Sequence, residues 1–410
     1  MLDYARNEIW PKLGQVILPN WESMGRAMFK AAAVEPLILY CTIWSAAAYH
    51  LTLSFDGPLF QMMLDLQCKA SRKIRNAIAT NNISDGILFG IQALSYQFMD
   101  VATGVFERGL FESPLYSLSV FNATGPIMFA PEHMRNQQHI LIQRGGIGTV
   151  TLPGVAETFQ MSDILNACHC DTAPTFELCR SYSLGLQEMT ASRPSMARAR
   201  TFRVDIGFKE ILLDLITCCN LVESWYTIAE TSLEMPDLPR PLLLYRDLVV
   251  YRLLRLPRGQ EGIEICRLAT FILTFGIVYP NYWGALHRMA NDLVIAFMDP
   301  RFTKRQEGAF LFWAAMLGGM AILDESIDAT QEFFIKILKD LRARLGLESW
   351  ESAKLLLKKY VWIDHACDKG GMIIWEKIGG DDASVKEDLM IQMLLDDAPP
   401  VDLYEWSDGQ

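Results

Sequence analysis

The sequence has no two cysteines spaced C-x-x-C, although it contains nine. Structural zinc modules use such pairs so that two thiolates can reach one tetrahedral ion, so no metal is expected here. An odd number of cysteines without framework spacing suits the reduced thiols of a nuclear or cytosolic protein. The sequence also lacks a G-x-S-x-G elbow, a G-x-x-x-x-G-K-[ST] phosphate loop and an H-E-x-x-H helix. These absences remove the common hydrolase, nucleotide-loop and zinc-protease signatures. Positive charge is short too: the 410 residues carry a net −11. An acidic chain repels phosphate backbones, so direct nucleic-acid binding is not expected of it. The opening residues show no basic region followed by an apolar run, so no signal peptide is expected. Leu37–Tyr49 and Gly308–Leu323 are apolar but shorter than the roughly 20 residues a bilayer span needs. Both are expected as buried helices, and no membrane partner is expected.

Strand patterns are scarce and helical periodicity is common, which predicts an all-α, large multi-helix domain over residues 1–380. Met63, Leu66, Ile74 and Ile78 fall on one helical face. Ser84 is placed to cap a helix running through the apolar stretch Ile87–Phe106. Further helices are expected over Ile211–Ile228, Leu242–Leu256, Ile263–Val278 and Ala285–Phe297. Phe334, Leu338, Leu341 and Leu345 form a stripe stopped by Gly346, and Ser349 caps a following helix through Tyr360. On that helix Lys354 and Lys358 are expected on a face away from Leu355 and Leu356. Residues 190–203 (TASRPSMARARTFR) change character and read as an internal linker, a solvated basic loop.

The stretch Glu132–Ala167 organises the rest. A helix over Met134–Arg144 should stop at Gly145-Gly146, turn through a Gly- and Pro-bearing corner, and re-enter a helix near Ser162. Gly146-Ile147-Gly148 has a superficial likeness to a dinucleotide loop. Thr151 stands where its third glycine should be, and no βαβ pattern surrounds it. Cys168, His169, Cys170 and Cys179 cluster, and buried thiols at a helix end are the expected reading.

One constellation has chemical appeal. Asp324-Glu325-Ser326-Ile327-Asp328 fits the D-[DE]-x-x-D pattern with which class I terpene synthases hold magnesium against a diphosphate. The companion motif does not follow. Asn291-Asp292 could open it, but Ile295 and Asp299 replace the required hydroxyl and glutamate, and the order along the chain is reversed. A terpene synthase-like enzyme using Asp324, Glu325 and Asp328 with magnesium is therefore the alternative reading. The main expectation is a nonenzymatic chain with no cofactor. The acidic C-terminal tail 381–410 holds nine carboxylates against Lys386. Acids interleaved with Tyr404, Trp406 and aliphatic residues resemble an activation segment that folds onto a partner, while a solvated last helix is the plainer reading.

Four stretches, in order, resemble the regulatory (middle homology) domain of fungal binuclear zinc-cluster transcription factors. They are the opening WESMGRAMFKAAAVEPLILYCTIWSAAAYHL, the corner HILIQRGGI with Leu152-Pro153-Gly154 and Asp163, the helix around Phe312-Trp313 through Gly318-Gly319, and Ser349-Trp350-Glu351 through Trp362, Cys367 and Trp375. The resemblance implies an all-α fungal transcription factor domain that regulates transcription from the nucleus, with the cytoplasm also open to it. It would act through protein partners of the transcription machinery, a homodimer, or sensing of a small apolar ligand, and secondary metabolism is one setting for such regulators. It implies structural roles for Arg144, Gly145, Gly146, Asp163, Trp313, Gly318, Gly319, Trp362 and Trp375, and names no ligand-binding residue. The family's six-cysteine DNA-binding module has no counterpart in these residues, so sequence-specific DNA binding does not carry over.

Overall fold

The computed structural model describes residues 1–5, 21–53, 56–98, 109–113, 127–129, 131–232, 240–279, 285–303, 306–322 and 329–379. Among these residues the protein is all-α, with 17 helices and a single two-stranded antiparallel ribbon pairing Tyr96–Phe98 with Ile127–Phe129. The helices are α1 (Leu2–Tyr4), α2 (Trp21–Val34), α3 (Pro36–Leu53), α4 (Gly57–Ala79), α5 (Asp85–Leu94), α6 (Pro131–Gln143), α7 (Val155–Cys170), α8 (Arg180–Ala191) and α9 (Ile206–Thr231). They continue with α10 (Arg240–Leu254), α11 (Glu264–Leu273), α12 (Ala285–Met298), α13 (Pro300–Thr303), α14 (Gly308–Met320), α15 (Ala329–Leu345), α16 (Trp350–Leu357) and α17 (Asp364–Lys377).

Local chemistry explains many of the boundaries. Asp56 caps α4 by accepting from the Leu59 amide at 3.0 Å, with Pro58 in the first turn. Ser84 caps α5 by accepting from the Ile87 amide at 3.1 Å, and its hydroxyl donates to Glu35. Ser349 and Ser352 form a reciprocal capping box on α16. Gly346 ends α15 at φ +63°.

Leu37, Trp44, Met63, Leu66, Ile87 and Ile91 make a small core among α3, α4 and α5. The main core runs from α6 to α17, and Ile83, Phe89 and Ile140 pack against both. Ile78, expected on the buried face of α4, is half exposed: the buried stripe of the helix, Met63, Leu66, Ala70 and Ile74, ends one turn before it.

α9 is long and apolar enough by composition to cross a membrane. Most of its apolar window is buried in the protein, and Asp214 in its middle is ion-paired, as befits a core helix. α11 continues into a π turn, Thr274–Val278, closed by the Tyr279 amide donating to the Thr274 carbonyl at 2.7 Å.

Several expectations change. The helix capped by Ser84 ends at Leu94. The re-entry helix begins at Val155, not Ser162, because Gly154 at φ +87° already turns the chain. The linker 190–203 is largely exposed, as expected, but it is anchored at three points: Arg193 reaches the carboxylate of Asp214, and Ala199 and Phe202 are buried. Leu355 is exposed, and Lys354 and Lys358 face the acids of α17.

The short stretch Gly109–Ser113 threads between distant helices. The Leu110 amide donates to the Met320 carbonyl at 2.6 Å and the Glu112 amide to the Ala366 carbonyl at 2.9 Å. Phe111 lies over Gly276 of the π turn, where a Cβ would meet its ring at 2.5 Å.

Candidate functional site

The residues singled out by the sequence fall into two places. The first is the corner after α6. The Gly146 amide returns to the Leu141 carbonyl at 2.8 Å and the Gly145 amide to that of Ile142 at 3.0 Å, a glycine-terminated helix end. Arg144 then pairs with Asp85 in the first turn of α5 at 2.5 Å. The other oxygen of Asp85 accepts from the Thr151 amide, the Thr151 hydroxyl and the Leu152 amide at 2.7–2.8 Å. Asp85 is thus the knot of the corner. Burial alone would raise its pKa, but the bonds from Thr151, Leu152 and Arg144 outweigh it and hold the carboxyl below its ordinary value.

Asp163 does the same work one helix later. It accepts from Gln138 on α6 at 2.8 Å and from the Thr175 and Phe176 amides at 3.1 and 2.9 Å. These bonds tie α6, α7 and the loop before α8 together. Burial pushes its carboxyl up against those bonds.

Two predictions arise here. Gly146 sits at φ +89°, ψ −179°, a region essentially reserved for glycine. Gly146→Val is expected to lose about 1–3 kcal/mol of stability, with Gly145→Val also impaired at φ +106°. Urea unfolding of purified variants checks this, and fully stable variants at both positions would exclude it. Asp85 binds fewer protons folded than unfolded. Its contribution is therefore present above the ordinary carboxylate value of about 4 and is lost as pH falls through its lower folded value. The melting-temperature gap between the native chain and Asp85→Asn should be wide near neutrality and close in acid.

The second place is the core around α14, α16 and α17. The Trp313 indole is fully buried and donates to the Val361 carbonyl at 2.8 Å, with Phe202, Phe310 and Tyr360 around it at 5.5–5.8 Å between ring centroids. Gly318 lets the Phe334 ring approach: an added Cβ would stand 2.4 Å from it. Gly319 has ordinary room, 3.5 Å from Ile374, so the glycine pair divides into one required and one permissive position. Trp362 donates to Asp368 at 2.8 Å, and Trp375 lies under the Arg342 guanidinium at 4.5 Å.

A third cluster carries no signal of its own in the sequence. Tyr182 of α8 donates to Asp247 of α10 at 2.8 Å, and the neighbouring Arg246 donates to the same carboxylate at 3.2 Å while lying over the Tyr279 ring. All four side chains are buried. Burial pushes Asp247 up, and Arg246 and Tyr182 pull it back. Beside it the fully buried Asp214 takes a two-pronged contact from Arg193 at 2.5 and 3.0 Å and a further bond from Arg252. Glu210 holds both arginines from outside at 3.4 and 3.2 Å. Together they form a charged spine between α8, α9 and α10.

Chemically these places are braces. Burial pushes the Cys179 thiol to about 11 and Cys41 to about 12, and raises Cys168, Cys218, Cys266 and Cys367 further. Protonated thiols are poor nucleophiles and poor metal ligands. Among the described residues no three His, Cys, Asp or Glu side chains gather as metal ligands. Asp324, Glu325 and Asp328 lie outside the described residues. Of the companion positions, Asn291 accepts from Thr330, Ile295 is exposed, and Asp299 is held by Arg301 two residues on. Comparison of the chain with family models, curated proteins and solved structures returns no match.

Proposed function

We propose that this chain is a regulatory domain acting in transcription, of the kind it resembles in fungal binuclear zinc-cluster factors. It acts in the nucleus through protein partners, a homodimer or a small apolar ligand, without a DNA-binding module in these residues. The observation that carries the reading is the ordered run of four motif stretches along the chain. Two further facts support it. The all-α architecture is what the resemblance implies. Its motif residues also serve as braces, with Arg144 on Asp85, Asp163 on two loop amides and Trp313 on Val361.

The test is to tether the full chain to a heterologous DNA-binding module and measure a reporter in a fungal nucleus. Activation or repression that depends on the chain, and that is lost with Gly146→Val, supports the reading. No effect on the reporter from a folded, nuclear fusion counts against it. Magnesium-dependent turnover of a prenyl diphosphate by the purified chain would replace it with the enzyme reading.

A further inference from the structure

We propose that the acidic segment 381–410 of this chain docks onto a basic cleft along the exposed face of α15, bounded by the end of α17. The cleft consists of two adjoining hollows of about 570 and about 360 Å³ that share Lys339. The exposed Lys336, Lys339 and Lys377 line it, and the half-buried Ile335 and Leu347 supply its apolar surface, with Ile378 buried beneath. Among the described residues none of these three lysines makes an ion pair, whereas Lys354 and Lys358 nearby are both engaged by α17 acids. Glu332 and Glu348 are the acids at the rim, so positive charge is in excess.

The occupant follows from where the chain goes next. Arg342 donates to the carbonyls of Leu347 and Gly379 at 3.1 and 2.6 Å and fastens the end of α17 to the cleft wall. The segment that follows carries nine carboxylates and one lysine. Within it the acid pairs Glu387-Asp388 and Asp396-Asp397 flank Leu389-Met390-Ile391-Gln392-Met393-Leu394-Leu395. An apolar centre with acidic ends complements an apolar floor edged by lysines. The reach suffices: eight residues from Gly379 to Glu387 extend to roughly 28 Å, and the lined part of α15 is about 22 Å long. A short tether of this kind sets a local concentration on the order of millimolar, which an acidic segment of another protein would have to exceed. The docking holds or fails independently of the transcription reading.

The test is carbodiimide coupling of the full chain at low concentration, an equimolar mixture of light and isotope-heavy protein, read by peptide mass spectrometry. The expected links join Lys336, Lys339 or Lys377 to carboxylates within 387–408, within one chain, at a yield independent of dilution. The yield should fall about fivefold or more in 1 M salt, where the screening length is about 3 Å. The triple variant Lys336→Glu/Lys339→Glu/Lys377→Glu should abolish coupling of the segment. Asp396→Asn/Asp397→Asn, which leaves the cleft untouched, should reduce coupling of the remaining carboxylates to it. Links spread evenly over Lys69, Lys73 and Lys209, links only between light and heavy chains, or no links at all would overturn the proposal. So would coupling of the segment to other lysines that persists undiminished in the charge-reversed protein, or cleft links unchanged in the segment variant.

Discussion

Asp214→Ala is expected to lower the unfolding free energy by about 3–5 kcal/mol, because it breaks a buried ion pair from one side only. The carboxylate is fully enclosed, and Arg193 and Arg252 both converge on it. Once it is gone, two guanidinium groups share the half-exposed Glu210 and repel each other across the gap. Total stabilities are typically about 5–15 kcal/mol, so a loss of this size approaches unfolding at ambient temperature. Asp214→Asn keeps an acceptor and should lose less. Replacing all three partners together, Asp214→Leu with Arg193→Met and Arg252→Met, should recover much of the loss, since apolar substitutes of similar volume often match a buried ion cluster. The urea midpoints of the single and triple variants are the measurement. A triple variant as weak as Asp214→Ala would show that the charges contribute stability in their own right.

Trp313→Ala should lose a comparable amount, about 3–5 kcal/mol, by the usual penalty for emptying a buried aromatic site. Two effects add. The space between Phe202, Phe310 and Tyr360 is left without a filler, and the Val361 carbonyl loses its indole donor. Trp313→Phe keeps most of the volume and forfeits the bond, so it should fall between. The neighbouring Gly318→Ala tests the same core from the opposite direction. It must displace the Phe334 ring, at about 1–3 kcal/mol, whereas Gly319→Ala should be nearly neutral. Equal effects at the two glycines would contradict the geometry.

Much of this architecture can be read in the residues. Of the stripe Phe334, Leu338, Leu341 and Leu345, the first three are buried as the period requires, and Leu345 at the helix end is only partly buried against the core. Ser84, Ser349 and Gly346 announce helix ends through their own local chemistry, which needs no tertiary context. Gly145 and Gly146 are legible for the same reason. The start of α7 is not, since Gly154 could end a turn or begin a helix, and Ser162 offers equally good capping chemistry in mid-helix.

The charged spine is illegible for a different reason. Arg246-Asp247 inside RPLLLYRDLVVYRLL looks like a solvated pair, and only the arrival of Tyr182 from α8 makes it a buried one. Asp214 lies in an apolar run, which is a signal. Its partners sit on other segments, and Arg193 lies in a stretch whose composition suggests a loop. Burial of charge is a property of the assembled helices, and periodicity along one helix does not report it. At the candidate site, Gly145 and Gly146 are legible as a helix stop from their own chemistry, while Trp313 enters only through the family resemblance and the groups these residues touch are not legible at all.

The strap Gly109–Ser113 also bears on the order in which this protein can form. The Glu112 amide is satisfied by the Ala366 carbonyl, and the Glu112 carbonyl accepts from Tyr226 at 2.8 Å. On the ribosome, Ala366 is made about 250 residues after Glu112, a delay on the order of ten to fifty seconds at ordinary synthesis rates. For about the first 165 residues of that interval Phe111 has no π turn to cover, and until α17 is made the Glu112 amide lacks its partner. The α3–α5 core can close early from neighbouring segments, while closure of the main core must wait for α17. Such long-range pairing raises the contact order and slows folding. A nascent chain stalled before α17 therefore leaves the Glu112 amide without the Ala366 carbonyl and the main core without Ala366, Cys367, Ile374 and Trp375, so its last apolar face stays open to water until that helix is made.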